Sequence, residues 1–231
     1  MKKIGIIGGA DPAASCLLYR RIIEICLSQG YCKNGGDFPE IMLINYPFGR
    51  GMRNFDASVT TSLVAQLDYC FDKCAAYGVD VVAIACNGLH TLLDAVSGAG
   101  LPLVHLAKIV VQRAEQQPLK KLMLFAAQRT IQKGLYERAG LELIVPEPQD
   151  QARVDRVIEN IHTGVVSKAD AQQMTEIAQK MYAKSQFDGI LLGCTDFSVL
   201  HDMYPIQLQS IITLDSVTIL ADELVKTVFN N

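Results

Sequence analysis

Apolar residues fall along this chain in short blocks. Each block is closed by Gly, Pro, Asn or Asp and leads into a longer stretch with apolar positions at helical spacing. Residues 3–7 form the first block, followed by a helical stretch over 12–28. Residues 41–46, closed by Pro47 and Gly49, form the second. Val59, Leu63, Leu67, Cys70, Phe71 and Cys74 then mark one face of a helix over 56–77. Residues 79–85 read as a buried strand and 88–96 as helix. The pattern then restarts, with strands at 122–125, 141–145 and 189–192 and helices at 130–139, 154–161 and 169–184. A strand–helix pair over 103–105 and 107–116 is matched by another over 211–214 and 217–228. Continuous apolar strands alternating with helices predict an α/β fold with parallel sheets covered on both faces.

One segment recurs. Asp80-Val-Val-Ala-Ile-Ala-Cys86-Asn87 lies opposite Asp188-Gly-Ile-Leu-Leu-Gly-Cys194-Thr195: an acidic residue, an apolar strand, then a cysteine and a small polar residue. Such an echo predicts duplicated α/β units.

Composition narrows the function classes. The 231 residues are half apolar and 19% charged, with a net charge of −3. No basic footprint for nucleic acid or an anionic membrane is present. The opening MKKIGIIGGADP breaks its apolar run too early for a signal peptide, and no apolar run approaches the ~20 residues of a spanning helix. A cytoplasmic protein is expected. Seven cysteines, an odd number, fit a reducing compartment better than a disulfide framework.

A cysteine at the carboxyl end of a parallel strand sits where open α/β sheets bind ligands. The N–H groups and positive dipole of the following helix activate a thiol there and hold an anion such as a carboxylate. Two matched cysteines suit the inversion of a stereocentre. One base removes the α-proton, an acid on the opposite face returns one, and the roles exchange for the other enantiomer. Donors converging on the substrate carboxylate in a dry site would stabilise the carbanion.

Three blocks carry a family resemblance: Ile4-Gly-Ile-Ile-Gly8-Gly9 with Pro12; Ala85-Cys86-Asn87-x-x-His90; and Leu192-Gly193-Cys194-Thr195-Asp196. They resemble the signature blocks of the aspartate/glutamate racemase superfamily, and the aspartate racemase-like branch most of all. The resemblance implies two similar flavodoxin/Rossmann-like domains with the active site in the cleft between them. It also implies no pyridoxal phosphate or metal, hence no cofactor, and a homodimer. The C-terminal helix would return to the first domain, giving residues 1–102 plus 215–231 as one domain and 103–214 as the other. Cys86 and Cys194 are implied as the two bases, with Asn87 and Thr195 on the substrate.

Several positions depart from that pattern. Gly88 replaces a threonine near the substrate carboxylate, Asp11 replaces a glycine before Pro12, and Ala126-Ala127 replaces Gly-Thr. Thr130 keeps the threonine that follows. In the aspartate-selective branch an arginine after the second strand grips the acidic side chain; Arg50, ahead of Arg53, fits that place, and a guanidinium suits a carboxylate. Asp11, Arg50, Asn87, Gly88, Thr130 and Thr195 are thus the expected substrate-side positions.

Other motifs carry less. Gly5, Gly8 and Gly9 have the spacing G-x-x-G-G, which is not the dinucleotide fingerprint, so a tight strand-to-helix turn is expected. No P-loop lysine follows. Cys70 and Cys74 could ligate a metal by spacing but sit on an apolar helix face, and no metal is expected. Cys16, Cys26 and Cys32 read as packing or surface thiols. His90 either tunes Cys86 or is a satisfied, partly buried histidine. A Cys86–His90 hydrolase, with His105, His162 or His201 as other bases, would leave Cys194 unexplained. Asp196 is expected to cap the helix after Cys194.

The expected function is a cofactor-independent amino-acid racemase acting on a small substrate, with aspartate preferred and glutamate or a broader range open. Alternatives are a decarboxylase or isomerase of the same superfamily, or a non-catalytic amino-acid-binding protein.

Overall fold

The computed structural model describes residues 1–48, 57–208 and 210–229. The chain divides into two compact units: Met1–Ile109 with Val217–Asn231, and Val110–Ser216.

In the first unit a three-stranded parallel sheet has the order β2-β1-β3, from β1 (Ile4–Gly8), β2 (Ile41–Asn45) and β3 (Val81–Ile84). β1 and β3 are buried along their whole length, which explains their unbroken apolar sequences. Helix α1 (Pro12–Ser28) starts from the N-cap Asp11, and α2 (Ala57–Tyr77) packs Leu63, Leu67, Cys70, Phe71 and Cys74 against Ile7, Val82 and Ile84. Cys70 and Cys74 are therefore core residues, and among the described residues no cluster suited to a metal ion is found.

The second unit repeats the plan. β4 (Lys121–Phe125), β5 (Glu142–Ile144), β6 (Gly189–Leu192) and β7 (Ile212–Asp215) form a parallel sheet in the order β5-β4-β6-β7. Met123, Phe125, Ile190 and Leu192 pack on α5 (Pro148–His162), α6 (Lys168–Lys184) and α7 (Thr195–Met203) through Val154, Val157, Met174, Ile177 and Phe197.

The echo seen in the sequence is structural. The Asp80 carboxylate accepts the backbone N–H of Lys3 at 2.6 Å, and that of Asp188 accepts those of Lys120 and Lys121 at 2.9 Å. Each acid thus ties the entry of its strand to the entry of the neighbouring one.

Four expectations change. Helix α4 covers only Gln128–Gln132, because Gly134 turns at φ +60° and the chain closes into the Arg138–Leu141 bridge. α5 begins at Pro148, six residues before its apolar periodicity, with proline at the first helical position. Gly88–Ala95 is 3-10 rather than α-helix. Residues 103–105 make only an isolated bridge from Leu103 to Val82, since the Leu106 N–H that would carry the ladder on donates to His90 Nε2 instead. Leu103 nevertheless lies beyond β3 as β7 lies beyond β6. Helices α3 (Leu106–Gln116) and α8 (Ser216–Phe229) follow these two positions. α8 returns to the first unit, where Phe229 stacks on Tyr31 at 4.6 Å and the Thr227 carbonyl accepts from Lys2 Nζ. Among the described residues, no helix is long and apolar enough to cross a membrane.

Candidate active site

Both cysteines singled out by the sequence occupy the same place in their units. Past β3 the N–H of Ala85 still donates to the Ile7 carbonyl at 2.9 Å; past β6 the N–H of Gly193 donates to the Phe125 carbonyl at 2.8 Å. The ladder thus runs one residue beyond each strand, and the next residue is Cys86 or Cys194. Each leaves the sheet at its carboxyl edge and begins a helical segment.

Packing fixes both edges. A Cβ at Gly193 would lie 2.5 Å from Leu124 and 2.9 Å from Tyr136, both buried, so only glycine fits before Cys194. In the first unit Gly9 has φ +98°, and its Cβ would meet the Tyr46 carbonyl oxygen at 2.2 Å. Gly9 N–H donates to Ser15 Oγ, and that hydroxyl donates to the Asp11 carbonyl. This is a tight strand-to-helix turn, as the G-x-x-G-G spacing predicts.

The remaining sequence candidates take varied places. The Asp11 carboxylate caps α1, accepting from the N–H groups of Ala13 and Ala14 at 2.9 and 3.3 Å. Asn87, Thr130 and Thr195 are buried, Asn87 directly after Cys86 and Thr195 at the first position of α7. Gly88 leaves room: a Cβ there would meet only Cys86 Sγ, at 3.9 Å. Ala127, in the place of a threonine, begins α4 without a side-chain cap. The Gln128 N–H is taken instead by Asp155 of α5 at 3.2 Å, and Gln151 holds the Ala126 carbonyl at 2.9 Å. Arg50 and Arg53 lie outside the described residues.

His90 is a structural group. Its Nδ1 donates to the Cys86 carbonyl at 2.8 Å, which leaves Nε2 to accept the Leu106 N–H at 3.2 Å. That fixes the neutral Nδ1–H tautomer, and it engages the backbone of Cys86 rather than providing a second base. Burial pushes its pKa down from 6.5 to about 4. An unfolded chain takes up this proton near pH 6.5 while the folded one does so only near pH 4. His90 therefore contributes its full share of stability above about pH 6.5, and that share is lost as pH falls towards 4. The loss is expected to be on the order of 3 kcal/mol. Denaturant unfolding at pH 7 and pH 4.5 checks this: wild type should weaken by more than His90→Gln, and equal weakening would contradict it.

Asp196 is the residue whose role the sequence misjudged. The N-cap of α7 is Cys194, and Asp196 sits inside the first turn. Its Oδ2 accepts from Cys194 Sγ at 2.9 Å. Its Oδ1 stands 3.1 Å from Nε2 of His162, the last residue of α5, at ion-pair distance rather than in an aligned hydrogen bond.

The thiols differ in character. Burial pushes Cys70 and Cys26 up to about 12 and Cys74 to about 11, so these stay protonated at neutral pH. Cys86 and Cys194 are partly exposed.

A model of the Asp/Glu/hydantoin racemase family matches residues 7–224. The chain belongs to that family. It is an isomerase of the amino-acid racemase type. The fold agrees with solved structures at low sequence identity. A Yersinia pestis protein assigned as an Asp/Glu racemase is 24% identical with a TM-score of 0.80, covering 98% of this chain and 99% of that one. An aspartate racemase homologue from Pyrococcus horikoshii OT3 is 23% identical with a TM-score of 0.77 and the same coverages. Glutamate racemase from Francisella tularensis, solved with D-glutamate, is 14% identical with a TM-score of 0.70, covering 100% of this chain and 82% of that one.

Proposed function

We propose that this racemase inverts a small acidic amino acid, aspartate in preference to glutamate, by proton transfer between its Cα and the thiols of Cys86 and Cys194. The observation that carries this reading is the matched placement of the two cysteines. Each is the first residue beyond a strand-end hydrogen bond in one of two like units, and each is partly exposed. One thiolate takes the α-proton while the other thiol delivers one to the opposite face. The carbanion formed needs donors on the substrate carboxylate, and N–H groups at the start of α7 and of the 3-10 segment after Cys86 are suited to that task. Asn87 and Thr195 add short polar side chains at these turns, and Thr130 adds one in α4, after β4. The aspartate preference rests on Arg50 as partner of a second carboxylate, and a homodimer is the proposed assembly.

Incubation with each L-amino acid in D₂O tests the reading. Deuterium at Cα together with loss of optical rotation is expected first for aspartate. Exchange confined to a neutral amino acid would overturn the acidic preference, and binding without exchange would leave only a non-catalytic protein.

A further inference from the structure

We infer that His162 is a positioning residue for Cys194, acting through Asp196 to set how readily that thiol gives up its proton; the inference rests on the two-thiol reading. Three groups from two helices stand in series: Cys194 Sγ donates to Asp196 Oδ2 at 2.9 Å, and Asp196 Oδ1 stands 3.1 Å from His162 Nε2. The carboxylate in the middle is 4% exposed and the imidazole 28%. The chain therefore runs from the reacting sulfur through a buried acid to a ring at the solvent boundary.

Electrostatics gives the two outer members opposite effects. An ionised carboxylate beside the sulfur favours the thiol, because a thiolate there would place two negative charges about 3 Å apart in a poorly hydrated setting. A protonated His162 cancels the charge of Asp196 and so frees Cys194 to ionise. Two-base inversion requires Cys194 as a thiol for one enantiomer and as a thiolate for the other. Asp196 alone serves only the first of these. His162 supplies the second without touching the sulfur. In the first unit the histidine next to the cysteine does something else, since His90 holds the carbonyl of Cys86 and is neutral.

The alternative is that the His162–Asp196 contact merely pins α5 to α7. Alkylation separates the two, because iodoacetamide reacts with the thiolate and requires no turnover. The folded full-length chain would be labelled at neutral pH, with modification of each cysteine followed by peptide mass spectrometry. His162→Gln is expected to slow labelling of Cys194 by about threefold or more, and Asp196→Asn to accelerate it. The double variant should behave as Asp196→Asn, because His162 acts only through that carboxylate. His162→Lys, which keeps a cation, should label at nearly the wild-type rate. Cys86 serves as an unaffected reference, and Cys70 would become reactive if a variant unfolded. Equal slowing in His162→Gln and His162→Lys, changes of one sign in all variants, or additive effects in the double variant would overturn the inference. If the labelling pattern holds but no amino acid is racemised, the thiol control stands and the reaction assigned to it fails. If Cys194 is essential for racemisation yet insensitive to His162, the reverse is true.

Discussion

Cys86→Ser and Cys194→Ser are each expected to lose racemase activity by about a thousandfold or more. General acid–base groups contribute roughly 10²–10⁴ each, and a serine hydroxyl ionises far too weakly to replace a thiolate. The exchange is nearly isosteric, and both positions are partly exposed, so stability should barely change. That separation of activity from folding makes the pair informative. Inversion needs both groups, whereas elimination from an amino acid with a β-leaving group needs only a base on one face. One of the two variants should therefore retain elimination towards one enantiomer while losing racemisation. Chiral chromatography of the products, together with a melting curve, measures both. Wild-type-like racemisation in either single variant would rule out a two-thiol reaction.

The second large effect concerns stability. Gly9→Ala is expected to cost about 2–4 kcal/mol, which for a chain of this size corresponds to a fall in Tm of roughly 5–15 °C. Two causes add at this position. The backbone has φ +98°, a region L-residues rarely adopt, and the new Cβ would lie 2.2 Å from the Tyr46 carbonyl oxygen. That oxygen belongs to the backbone immediately after β2, so it cannot move aside as a flexible side chain would. Gly30→Ala is the natural control: φ is +74° there, but nothing lies within 4 Å. Only the conformational strain, about 1 kcal/mol, should appear. A thermal melt of both variants decides the matter, and equal losses would show that the close approach at Tyr46 does not matter.

What could be read from the sequence follows from the range of the interactions involved. Buried parallel strands are recognisable because both faces are apolar, so β1, β3, β4 and β6 appear as unbroken runs. The echo around Cys86 and Cys194 was legible for the same reason. Its acids proved to have a shared structural task, holding strand entries through backbone N–H groups. Features set by distant partners were not legible. The truncation of α4 reflects a turn at Gly134, and the N–H of Gln128 is satisfied by Asp155, 27 residues further on. The Asp196 side chain was misread because its position, two residues after a cysteine at a helix start, fits a capping motif. Its actual partner, His162, comes from another helix 34 positions away in sequence. His90 was left with two readings by sequence alone, and the acceptor at Nδ1 and donor at Nε2 chose between them.

The most direct test of the central claim is the isotope content of both enantiomers early in a reaction started from L-aspartate in D₂O. Two separate thiols predict that the first D-aspartate formed carries solvent deuterium at Cα while the L-aspartate still present keeps its protium. Deuterium entering the L-isomer as fast as the D-isomer appears, or D-aspartate retaining the original protium, would mean that one group serves both faces and would contradict the pairing of Cys86 with Cys194.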